Sequence, residues 1–162
     1  MKTAVNKEES LTIMLSSQYP TTDAFYESFN DEITTDLNTV MDYFPSVLNI
    51  VIPASTTLSN KALEIQKQSV LIQANAYINA HPRKKINLVL NTHGNVGSYD
   101  IDNRLIIALS RLILKKDREI QTIYGLMCDG FSTRKAPEDI ISSMGTPYGA
   151  NKMAALVKLG RQ

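Results

Sequence analysis

Four times along the chain a short apolar run gives way to a longer stretch with helical spacing. The runs are Leu11–Ser16 (LTIMLS), Val47–Ile52 (VLNIVI), Ile86–Asn91 (INLVLN) and Ile120–Met127 (IQTIYGLM). Each is too short for a stable helix and carries β-branched residues, so each is expected to be a strand. After the first, Phe25, Phe29, Ile33, Leu37, Val40, Met41 and Phe44 recur every three or four residues. A helix capped by Thr21 or Thr22 and stopped by Pro45 is therefore expected, with those positions buried. A second helix, capped by Ser59 or Asn60, is expected to bury Leu63, Val70, Leu71, Ala74, Tyr77 and Ile78 and to end before Pro82. A third runs from about Asp102 to Lys116, after a polar loop containing Gly97. Strands alternating with helices imply a three-layer α/β/α fold with a mainly parallel sheet. Right-handed crossovers then place strand one centrally, in the order 2-1-3-4.

At 162 residues the chain matches one domain, spanning 1–162, with residues 1–10 a loose amino terminus. Residues 131–162 are expected to be a helical carboxyl-terminal segment, with starts at Pro137 and near Asn151. The 17 basic and 16 acidic side chains leave a formal charge of +1, which gives no electrostatic reason to expect nucleic acid or membrane partners. The apolar stretch Leu105–Leu114 is interrupted by Ser110 and Arg111 and is far too short to span a bilayer. Residues 1–10 lack the apolar run of a secretory signal, so a cytoplasmic location is expected, or export without a standard signal peptide.

Chemistry-bearing residues are few. Cys128 is the sole cysteine, and His81 and His93 are the only histidines. No metal site and no cofactor are expected, because neither a ligand cluster nor a glycine-rich phosphate loop is present. His81 precedes Pro82 and the basic run Arg83-Lys84-Lys85, at the end of the sheet where strand three begins. His93-Gly94 follows strand three, and Cys128-Asp129-Gly130 follows strand four. In an open α/β sheet, ligands bind beyond the carboxyl ends of the strands. Neighbouring parallel strands lie about 4.8 Å apart, so two such ends open into one crevice. A cysteine attacks as thiolate, and an imidazole can take its proton and return it to a leaving amine. The N–H groups of Gly94 and Cys128 are candidate oxyanion donors. Tyr99, Asp100, Asp102 and Asp129 are candidates for a pocket wall, with helix capping the commoner job for Asp100 or Asp102.

The order strand, helix, strand, helix, strand-His-Gly, helix, strand-Cys resembles the caspase-like clan of cysteine peptidases. Caspases, clostripain, gingipain, legumain, separase and the self-cleaving domains of large bacterial toxins belong to it. In that clan the His-Gly pair ends the third core strand and the cysteine ends the fourth, as His93-Gly94 and Cys128 do here. Gly130 matches the glycine two residues past the cysteine in caspases. The resemblance covers residues 11 to 130 and implies a Cys128–His93 dyad that cleaves a peptide or protein substrate through an acyl-enzyme. Leu126 and Met127 depart from the small residue that many members place before the cysteine. Two other readings share the fold: a flavodoxin-like domain that binds a partner or small ligand without catalysis, and a degenerate caspase-like scaffold.

Overall fold

The structure is a computed structural model, and it describes residues 10–21, 26–44, 46–95 and 98–126. Among these residues the sheet has four strands, all parallel. Its strands are β1 (Ser10–Gln18), β2 (Val47–Pro53), β3 (Lys85–Asn91) and β6 (Glu119–Leu126), in the order β2-β1-β3-β6. With β6 as the fourth core strand, this is the expected 2-1-3-4. A two-stranded hairpin, β4 (Gly94–Asn95) with β5 (Ser98–Tyr99), stands apart from it and was not expected. Strands of two residues are too short to leave a periodic pattern.

Among the described residues, three α-helices cover the sheet. Helices α2 (Asn60–Ala80) and α3 (Asn103–Lys115) pack on one face. There Leu11, Ile13 and Leu15 of β1 and Ile86, Leu88 and Leu90 of β3 meet Val70, Ala74, Ile78, Leu105, Leu109 and Ile113. Helix α1 (Glu27–Tyr43) lies on the other face, where the apolar cluster is small: Met14, Val40, Phe44 and Val89. The rest of that face is polar, including buried Thr12, Ser16, Asn87 and Asn91.

Two helix starts follow the sequence rules. Ser59 accepts from the Ala62 N–H, and Asp102 accepts from the Arg104 N–H. The first helix does not. It begins at Glu27 with Tyr26 at the cap position and no side-chain cap, rather than at Thr21 or Thr22. The link to β1 is made instead by Asn30, whose amide binds both the N–H and the C=O of Tyr19. Met41, expected in the core, is 49% exposed, because the helix turns only Ile33, Val40 and Phe44 fully inward. Leu63, Leu71 and Tyr77 are half-buried rather than enclosed. Phe25, Pro45, Met127 and the expected carboxyl-terminal helices lie outside the described residues.

Candidate functional site

His93 stands two residues past the end of β3, after buried Thr92. Its backbone is held from both sides. The His93 carbonyl accepts from the Asp100 N–H at 3.2 Å, which closes the base of the β4–β5 hairpin. The His93 N–H donates to the Tyr19 hydroxyl at 3.3 Å. The half-buried ring stacks on Phe29 of α1, with centroids 3.9 Å apart and planes 14° off parallel. Phe29 in turn meets Tyr19 edge-on at 5.2 Å, and Tyr26 stacks on Tyr19 at 5.5 Å. His93 Nδ1 is buried and has no hydrogen-bond partner among the described residues.

Asp100 is the hub of the crevice. Its carboxylate accepts from the Tyr19 hydroxyl at 2.6 Å. Its carbonyl accepts from the Ser55 N–H at 3.1 Å and the Ser17 hydroxyl at 3.4 Å. The Ser17 and Thr92 hydroxyls share a further hydrogen bond of 2.6 Å. The chain leaving β5 is therefore tied to the carboxyl ends of β1, β2 and β3. Burial, then the bond to Asp100 and its negative charge, push the Tyr19 phenol well above its ordinary range, outweighing the opposing bonds from Thr92 and His93. Tyr19 thus stays a neutral donor to the carboxylate.

The hairpin brings four sequence candidates together: His93, Gly94, Tyr99 and Asp100, with Gly94 opposite Tyr99. Asp102 is set apart by its work on α3, capping the Arg104 N–H and pairing with the Arg104 guanidinium at 2.9 Å. Cys128, Asp129 and Gly130 lie outside the described residues. Tyr19, Ser17 and Thr92 are not candidates in the sequence, and Phe29 is expected there only as a buried helix position. Tyr19 did carry a signal, as the residue between the central strand and Pro20, where an α/β crevice opens. His81 sits at the far end, capping α2, with Nδ1 2.8 Å from the Tyr77 carbonyl oxygen. Among the described residues, no three His, Cys, Asp or Glu side chains group as metal ligands would. No described helix is long and apolar enough to cross a membrane.

No family model, curated protein or solved structure matches this chain.

Proposed function

We propose that the chain is a cysteine peptidase of the caspase-like kind, with Cys128 as nucleophile and His93 as its acid/base partner. One observation carries the reading: β3 and β6 are adjacent and parallel, and Asn91 is paired with Leu126. His93 follows Asn91 by two residues and Cys128 follows Leu126 by two. The last described pair of the β3–β6 ladder therefore lies two residues before each candidate in sequence. The fixed backbone and stacked ring of His93 support the same reading, because a general base works only when held in place.

The Cys128 thiolate attacks the peptide carbonyl carbon, and the oxygen takes up the displaced electron pair. The N–H groups of Gly94 and Cys128 stabilise that oxyanion. The intermediate collapses, the C–N bond breaks, and His93 gives the amine the proton it took from the thiol. Water then attacks the thioester with His93 as base, releasing the acid and restoring the thiol.

The test is alkylation by iodoacetamide at about pH 6, where an ordinary thiol of pKa ~8.5 is almost wholly protonated. Cys128 is expected to react faster than free cysteine there, and His93→Ala to remove the excess rate while the fold is kept. Cys128→Ala is expected to abolish hydrolysis of a cleavable peptide, whereas His81→Ala changes little. A thiol that reacts only after denaturation overturns the proposal and leaves the domain a binding module.

A further inference from the structure

The outer edge of β2 has a pattern that does not depend on the catalytic reading. In a parallel ladder, the N–H and C=O of one residue point to the same side, and successive residues alternate. The Thr12 N–H donates to the Ser46 carbonyl at 3.1 Å, and the Ala54 N–H donates to the Gln18 carbonyl at 3.0 Å. Even-numbered residues of this stretch therefore face β1, and Val47, Asn49, Val51 and Pro53 face outward. Pro53 has no N–H to offer, and its carbonyl accepts from the Gln66 side chain at 3.0 Å. The outward row is thus reduced to Val47, Asn49 and Val51, on a side where no described strand pairs. That row is symmetric about Asn49.

The flanks of this edge carry few charges. No charged residue occurs from Val47 to Asn60, or from Gln68 to Ala80 on α2, and of the three between them, Lys61, Glu64 and Lys67, the last two pair with each other at 2.9 Å. Between β2 and α2 runs a groove of about 310 Å³ whose lining includes Ile50, Ile52, Leu58 and Ile65. Four large apolar side chains are exposed among the described residues. Three flank this edge: Val51 (54%), Ile65 (62%) and Ile72 (70%). Ile65 and Ile72 are two turns apart on one stripe of α2. A long, flat, uncharged edge is a pairing hazard that monomers usually block with charge. Here, among the described residues, only the Pro53 end is blocked.

We propose that a second copy of this chain occupies the edge, with β2 pairing antiparallel to β2 across a two-fold axis at Asn49. Asn49 then faces its own copy, and Val47 faces Val51 of the partner subunit. Each outward residue gives one N–H bond and receives one. The two sheets become a single eight-stranded sheet, and both α2 helices lie on the same side of it, where Ile65 and Ile72 meet the partner's α2. A foreign peptide added to the edge would satisfy the strand and leave the α2 stripe in water. The second copy covers both, because the outward backbone row is self-complementary in hydrogen bonding and the α2 stripe meets its own copy.

Sedimentation velocity of the full chain across the micromolar range tests this. The wild type is expected to show a concentration-dependent dimer. Val51→Lys, and separately Ile65→Lys with Ile72→Lys, are expected to weaken it by at least about tenfold. Those side chains are exposed, so circular dichroism and Tm of the dilute monomer should not change. Glu119→Lys, an exposed position on β6 at the far end of the strand order from β2, should leave the dimer intact. A wild type that stays monomeric throughout overturns the proposal, and so does a dimer indifferent to the β2 and α2 substitutions.

Discussion

Tyr19 shows how much one residue from an unremarked segment can hold. Its hydroxyl joins the Asp100 carboxylate to the His93 N–H, and its ring lies between Tyr26 and Phe29. Tyr19→Phe keeps the ring and removes both bonds, so it should lower stability at neutral pH by about 1–2 kcal/mol. The pH dependence carries a definite sign. The folded state holds the phenolic proton more tightly than the unfolded chain does. The contribution is therefore complete below about pH 10, the unfolded value, and is lost as pH rises from there toward the folded value. In urea denaturation, the gap between wild type and Tyr19→Phe should narrow above about pH 10. A gap that stays constant into that range would remove the buried phenol from the stability of the crevice. His93-Gly94 was legible because two residue types at a strand end form a local signal. The residues that clamp His93 were not, since they arrive from β1 and α1 with |i−j| of 74 for Tyr19.

Elements reveal themselves in sequence where a terminus carries its own chemistry. Ser59 and Asp102 sit just before their helices and bond the expected N–H groups. The carboxyl end of α2 is different, because His81 is joined there by a side chain from another part of the chain. Arg118, at the entrance to β6, gives its guanidinium to the carbonyls of Ile78, His81 and Arg83. It reaches them because α3 ends in a tight turn: Asp117 adopts φ 57°, the Asp117 N–H bonds Leu114, and the Arg118 N–H bonds Ile113. That paired pattern satisfies the last helical carbonyls and reverses the chain into β6. The basic run near Pro82 is accordingly a connection, with Lys84 paired to exposed Asp117 and Arg83 reaching the Ser10 carbonyl. Arg118→Ala should cost about 2 kcal/mol, from several charge-assisted bonds at a helix's negative end. Arg118→Lys should recover less than half, since an ammonium lacks the planar fork. Urea denaturation measures both, and full recovery by lysine would show that charge alone suffices.

At the scale of the whole molecule, strand order was legible, because alternating elements and right-handed crossovers leave few topologies. The chemistry of the two sheet faces was not. All four runs read as near-continuous apolar strands, yet the α1 face carries polar ladders that cross between strands. Asn91 donates to Ser16, and Ser16 donates to Asn49. Gln121 donates to Asn87, and Asn87 donates to Thr12. A side chain pattern of period two cannot disclose which polar residues will meet across a sheet.

The second ladder depends on an irregularity in β6. Ile86 pairs with Ile120 but Asn87 pairs with Thr122, so Gln121 is the extra residue of a bulge. The bulge resets the alternation, which lets Ile120 and Ile123, three residues apart, both join the α2–α3 core. It also turns the Gln121 side-chain amide to Asn87 Oδ1 at 3.2 Å, where its N–H donates. Replacing either amide strands a buried polar group on the other. Asn87→Leu should therefore cost about 2–3 kcal/mol, and Gln121→Leu about 1–2 kcal/mol. Removing both leaves neither amide stranded by the other, so the double variant should cost at least about 1 kcal/mol less than the sum. Leu88→Ala, on the opposite face, should cost about 3 kcal/mol by cavity formation and add independently to Gln121→Leu. Equilibrium denaturation of this set decides between the two accounts of the α1 face. If the Asn87 and Gln121 costs simply add, the ladder is incidental and the bulge is set by the packing of Ile120 and Ile123 alone.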